Sequence, residues 1–168
     1  ALLEGKPEGL RVFGDWKTIY EGLSELPDPA RESWFRFDHF YSDHSFDEAL
    51  EIVFAQRPKR LLDVGGNTGR WAARCVDYSP DVHVTIMDLP QQLDMVRRQM
   101  ADRRGADRIE GYPIDLPDVT APFPTGADAI WMSQFLDCFS EGEITSIIRR
   151  AAEAMTDRTR LYVMETLW

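Results

Sequence analysis

The chain has 168 residues, room for about one domain with a true core, and its 43% hydrophobic and 29% charged residues read as globular rather than disordered. A formal net charge of −10 repels phosphate backbones, so nucleic acid is not an expected partner. Cys75 and Cys138 stand 63 residues apart with no CxxC pair, the three histidines lack metal-ligand spacing, and no apolar stretch approaches ~20 residues. The expectation is a cytoplasmic protein with two reduced thiols, no metal centre and no membrane span.

The opening Ala1-Leu2-Leu3-Glu4-Gly5-Lys6 has neither a signal-peptide shape nor an initiator Met, so the chain reads as part of something longer. Trp16, Ile19, Tyr20 and Leu23 recur at helical spacing until Pro27 and Pro29 interrupt them. Trp34, Phe35, Phe37, Phe40 and Tyr41 form a dense aromatic stretch. It reads either as helix packing against the main domain or as part of a ligand-pocket wall. Ser45 and Glu48 have the Ser-x-x-Glu spacing of a capping box. Behind them Phe46, Ala49, Leu50, Val53 and Phe54 give one apolar helix face, ended by Pro58.

The period then changes. Leu61-Leu62-Asp63-Val64 is a short apolar run that stops at Gly65-Gly66, a buried-strand signal, and residues 71–76 look helical. Val82, Val84 and Ile86 alternate towards Met87 as a second strand, and Leu89, Leu93, Val96 and Met100 mark a helix. Residues 108–114, 127–132 and 160–165 supply a third, fourth and fifth strand. Before the fifth, Ser140 and Glu143 form another capping box, followed by Ile144, Ile147, Ile148, Ala151 and Met155. Strands alternating with helices predict an α/β, Rossmann-like domain: a mostly parallel sheet with helices on both faces.

Two motifs carry chemistry. Asp63-Val64-Gly65-Gly66-Asn67-Thr68-Gly69 follows a strand and opens a helix. Its glycines permit a sharp turn and close approach of a ligand, and helix N–H groups there can meet a carboxylate. Asp88 ends the second strand, 19 residues after Gly69. An acid so placed can accept hydrogen bonds from ribose hydroxyls, or can simply cap the next helix. Together the loop and the acid indicate a nucleoside-type cofactor. The Gly-x-Gly-x-x-Gly spacing of a nicotinamide site is not met. S-adenosylmethionine, which has no pyrophosphate, does not need it.

Residues 61–168 resemble the small-molecule O-methyltransferases of the caffeate and acetylserotonin type, in their bacterial branch. The family's Val-Asp-Val-Gly-Gly-Gly-Thr-Gly loop matches Leu62 to Gly69 except at Asn67, a residue that tolerates positive φ. Its Asp-Leu-Pro matches Asp88, Leu89 and Pro90, and its Gly-Asp-Met/Phe-Phe segment is loosely matched by Pro113-Ile114-Asp115-Leu116. The resemblance implies S-adenosyl-L-methionine as cofactor. Gly65, Gly66, Asn67 and Gly69 would lie beside its methionine portion, with Asp63 under the loop or at its amino group. Asp88 and Leu89 would be at the ribose, Asp115 at the adenine with Ile114 or Leu116 on the ring, and Met132 or Ser133 at the sulfonium.

The departure lies after the fourth strand, where the family reads Leu-Lys-Trp-Ile-Leu-His-Asp-Trp and uses the His as catalytic base. Here Met132-Ser133-Gln134-Phe135-Leu136-Asp137-Cys138-Phe139 places Ser133 for the Lys and Asp137 for the His. The family acid that orients the His falls 28 residues later, at Glu165. Asp137 and Glu165 are the catalytic candidates: two close acids can share a proton and raise one pKa towards that of a useful base. Asp137 could instead bind an acceptor ammonium or hydroxyl, or only start a helix.

The expected activity is methyl transfer to a hydroxyl of a small, aromatic acceptor. A methyltransferase-like binding protein without catalysis and, third, a nicotinamide-dependent oxidoreductase remain as alternatives. The resemblance further implies a homodimer for the full-length protein, with residues 1–44 as linker helices from an absent N-terminal dimerisation domain. Residues 45–168 would be a methyltransferase core lacking its sixth and seventh strands.

Overall fold

Five short apolar runs become five strands in the computed structural model: β1 (Arg60–Val64), β2 (His83–Asp88), β3 (Ile109–Pro113), β4 (Ala129–Ser133) and β5 (Arg160–Met164). The structure describes residues 11–16, 22–23, 25–115, 118 and 120–165, side chains 38 and 41 excepted. The helical spacing read through Ile19 and Tyr20 and the Tyr41 side chain lie outside that description, as does Leu116.

The chain separates into two units, residues 1–41 and 42–168. In the first, helix α1 (Asp28–Ser42) begins directly after Pro27, with Asp28 in the first turn, where a carboxylate suits the positive end of the helix dipole. Arg31 pairs with Asp28 and Arg36 with Glu32, while Phe35 and His39 stack at 6.2 Å. Of the aromatic stretch, Phe37 and Phe40 are exposed and Trp34 and Phe35 half-buried.

In the second unit the strands lie in the order β3-β2-β1-β4-β5, every neighbouring pair parallel. Central β1 and β4 are apolar almost throughout because helices cover both of their faces. Side chains alternate between two cores. One holds Leu61, Ile86, Trp131 and Val84 with α2 (Phe46–Phe54), α3 (Arg70–Tyr78) and α4 (Pro90–Met100). A stack of Phe46 on Trp71 at 5.1 Å and Trp71 on Trp131 at 4.2 Å runs through it. The other holds Leu62, Val64, Met87, Ile130 and Met132 with Ile147, Ala151 and Ala154 of α5 (Glu141–Ala154). The predicted parallel α/β sheet with helices on both faces is therefore the observed fold.

Local differences have local causes. The capping box read at Ser45 does not form: Ser45 closes a 3-10 turn (Asp43–Ser45), is already helical at φ −93°, and makes no side-chain cap bond. An N-cap needs extended backbone for its oxygen to reach back to the first-turn amides, whereas the turn delivers the chain into α2 already coiled. β3 starts at Ile109, because Arg108 ends a 3-10 turn and donates to the carbonyls of Val76, Ser79 and Val82. β4 starts at Ala129, just after Asp128, whose carboxylate accepts the N–H groups of Lys59 and Arg60. Among the described residues no helix is long and apolar enough to cross a membrane.

Candidate functional site

The strand order reverses between β1 and β4. In an open α/β sheet the ligand crevice lies outside the carboxyl ends of the strands at that reversal. The glycine turn leaves β1 there, with three residues in the left-handed region: Gly65 (φ 70°), Asn67 (φ 50°) and Gly69 (φ 75°). Most side chains pay ~1–2 kcal/mol per residue in that conformation, and glycine and asparagine least. The Gly65 N–H donates to Met87 O at 2.9 Å and the Gly69 N–H to Gly66 O at 2.8 Å, which closes the turn before α3 begins. At Gly66 space decides, since a Cβ there would lie 2.6 Å from Asp63 Oδ2.

Two buried acids support this turn. Asp88, 8% exposed, accepts the Asn67 N–H at 2.8 Å on Oδ2 and the Leu89 N–H at 2.7 Å on Oδ1. It does not cap α4; Leu89 holds that position and Pro90 is the first helical residue. Burial pushes the Asp88 carboxyl up to about 6, against the two N–H groups that favour its charge. Asp63 is 2% exposed and its Oδ2 has no hydrogen-bond partner. Burial, with the Asp88 charge adding to it, pushes Asp63 up to about 8. Of the two, Asp63 holds its proton to the higher pH.

The turn after β4 forms the opposite side. Gln134 takes a left-handed φ of 47° and donates its N–H to Met164 O, which steers the chain into a 3-10 turn (Leu136–Cys138). Phe135 folds over the glycine turn so closely that a Cβ on Gly65 would run into its ring. Glu165, just past β5, accepts the N–H groups of Phe135 and Leu136 on Oε1 at 2.9 and 2.8 Å. Its Oε2 is buried without a partner, and burial raises its carboxyl pKa, with Asp137 contributing to the same direction. Asp137 is exposed and accepts a 3.4 Å bond from Cys138 Sγ. Met132 is fully buried, and the Ser133 Oγ is buried without a partner.

The structure thus gathers Gly65, Gly66, Asn67, Gly69, Asp88 and Leu89 around one turn with Asp63 against Gly66, and brings Asp137 and Glu165 to a second turn just after Ser133, the two meeting where Phe135 lies over Gly65. Asp137 and Glu165 make no carboxyl–carboxyl hydrogen bond; they interact through charge. Ile114 is 6% exposed in the second core and its N–H donates to Asp88 O at 3.0 Å, which leaves Asp115 exposed two residues past the end of β3. Phe135 and Gln134 were not singled out as site residues by the sequence. An aromatic in an apolar run carries no contact information, and a positive φ at Gln has no sequence signal.

A family profile described as the O-methyltransferase domain matches residues 37–168. Among curated relatives, an L-tyrosine C(3)-methyltransferase of Streptomyces lavendulae is 23% identical over 94% of this chain and 42% of its own length. A mitomycin biosynthesis 6-O-methyltransferase of the same organism is 30% identical over 89% of this chain and 42% of its own. Among solved structures, the apo form of the S-adenosylmethionine-dependent methyltransferase SibL superposes with a TM-score of 0.73 at 27% identity, over 96% of this chain and 47% of that one. The chain spans less than half the length of these relatives.

Proposed function

This chain belongs to the O-methyltransferase domain family, and from that premise we propose that it forms the S-adenosylmethionine-binding part of an enzyme that methylates a hydroxyl of a small aromatic acceptor. One observation carries the reading: a buried Asp88 at the end of β2 that grips the glycine turn through the Asn67 N–H while each oxygen keeps a further lone pair. The residues present fit such a cofactor. Unpartnered buried oxygens on Asp63, Ser133 and Glu165 call for donors or a cation. The turn 63–69 lacks the Gly-x-Gly-x-x-Gly spacing that lets a pyrophosphate approach the backbone, which weakens the nicotinamide reading.

Bound S-adenosylmethionine supplies a methyl group on a positively charged sulfur, open to in-line displacement. The chain's own residues do the rest by positioning, which accounts for much of the acceleration in such a reaction. Asp88 accepts from the ribose hydroxyls, beside Leu89. Gly65, Gly66, Asn67 and Gly69 leave room for the methionine portion, and Asp63 lies beneath it. Asp115, following buried Ile114, borders the adenine, and Met132 or Ser133 the sulfur. Glu165 holds the turn that bears Asp137, and Asp137 faces the acceptor, taking its proton or binding it. The sequence resemblance also supports residues 45–168 as the binding core, residues 1–44 as linker helices, and a homodimer for the complete protein, and two reduced thiols fit a cytoplasmic location.

Calorimetric titration of the chain with S-adenosylmethionine, its demethylated product and NAD tests the proposal. Binding of the first two and not the third is expected, and is lost in Asp88→Asn; binding of NAD alone overturns it. A second reading, methylation at an acceptor carbon, has support in two relatives, whose names describe methylation at C(3) of tyrosine and at C-20 of bacteriochlorophyllide d. Turnover by the complete protein separates both from a binding protein without catalysis.

A further inference from the structure

Arg150 is the one arginine of α5 that is buried, at 7% exposure. Burying a guanidinium is costly unless its donors find acceptors. Its Nη1 donates to two backbone carbonyls on a distant segment, Asp118 O and Ala121 O, both at 2.9 Å. The guanidinium carbon lies 5.5 Å from the centroid of Phe123, itself buried in the same core as Ile114. This segment, between β3 and β4, carries Asp115.

The segment is fixed at two points. At its start the Ile114 N–H donates to Asp88 O. Further on, the Asp118 N–H donates to Asp115 O at 3.0 Å, and the carbonyl of that same Asp118 is the one Arg150 holds. A relay therefore runs from α5 through Asp118 to Asp115, two residues past the end of β3. No regular helix or strand occupies the described residues between β3 and β4, and backbone bonds such as the Ala121 N–H to Asp118 O at 3.1 Å stay within the segment, whereas Arg150 ties it to α5. An apolar side chain of equal volume would fill the space beside Ile147 and Ala151, but could not bond either carbonyl.

We propose that Arg150 is a positioning residue for the cofactor site: through Asp118 it sets where Asp115 stands relative to Asp88, and so governs recognition of the adenine end of the cofactor. The inference rests on the S-adenosylmethionine reading of the site. The test compares three variants of this chain by calorimetry with S-adenosylhomocysteine and by thermal denaturation. Arg150→Met keeps volume and removes both bonds; Arg150→Lys keeps charge and one short donor group; Ile147→Ala removes core packing one turn away on the same helix.

The expected result is a Kd about tenfold weaker for Arg150→Met and an intermediate Kd for Arg150→Lys. Ile147→Ala should keep the parent Kd while its melting temperature falls. Equal Kd losses in Arg150→Met and Ile147→Ala would reduce Arg150 to a packing residue and overturn the proposal. So would an unchanged Kd in Arg150→Met. If Arg150→Met does not fold, Arg150→Lys against Ile147→Ala decides on the same criterion. Failure of the parent chain to bind would overturn the cofactor reading itself, a result distinguishable from the others.

Discussion

Asp63 and Asp88 differ by what donates to them. Asp88 accepts two backbone N–H groups, which favour its ionised form; Asp63 has a buried unpartnered oxygen and holds its proton to a higher pH. Both carboxyls hold their proton more tightly in the folded chain than at their ordinary value of 3.8. Their contribution to stability is therefore full below about pH 4 and is lost as the pH rises, through about 6 for Asp88 and about 8 for Asp63. Thermal denaturation between about pH 5 and about pH 9 should show a falling melting temperature that flattens in Asp63→Asn; parallel curves would contradict this. A bound cation beside Asp63 reverses the bias, so cofactor binding at pH 7 should release protons, readable from calorimetry in buffers of different ionisation enthalpy. Gly65 is constrained twice, by its φ of 70° and by the Phe135 ring. Gly65→Ala should cost ~1–2 kcal/mol from backbone strain alone, with overlap adding ~1–3. In Phe135→Ala the overlap part disappears. Denaturant unfolding of the double variant should thus show a loss smaller than the sum of the two by ~0.5–3 kcal/mol.

At the scale of elements, the two Ser-x-x-Glu sequences look alike and behave differently. Ser140 is extended (φ −69°, ψ 158°), accepts the Glu143 N–H, and donates its own N–H to Glu143 Oε2 at 2.9 Å. Ser45 is held in the helical region by the turn before it, and Asp43 and Asp47 are engaged by Arg70 and Arg74 instead. Ser140→Ala should therefore destabilise the fold by ~1 kcal/mol and Ser45→Ala by only a few tenths, by denaturant unfolding. A loss at Ser45 as large as that at Ser140 would mean that the cap forms in solution. The Ser140 cap matters beyond stability, because it fixes the start of α5 directly behind the turn that carries Asp137.

At the scale of the whole molecule, the site is a junction: the segments that leave β1, β2 and β4, and Glu165 just past β5, each bond to a neighbour, so ligand binding should tighten all four. Product at about 100 times its Kd should add ~2.7 kcal/mol, roughly 5–10 °C in melting temperature for a chain of this size; no shift at that concentration would contradict it. By itself the sequence determined the alternation of strands and helices, the parallel sheet, the glycine turn and Asp88. Each rests on local information: hydrophobic period, positions that demand φ above zero, and an acid at a strand end. Tertiary structure alone decided the rest. It set Phe135 over Gly65, tied Glu165 to the amides of Phe135 and Leu136, kept Asp137 and Glu165 from sharing a hydrogen bond, and buried Arg150 against a segment about 30 residues away. These are contacts between chain segments far apart in sequence. Their existence depends on the strand order and register of the assembled sheet, which no local pattern in the chain encodes.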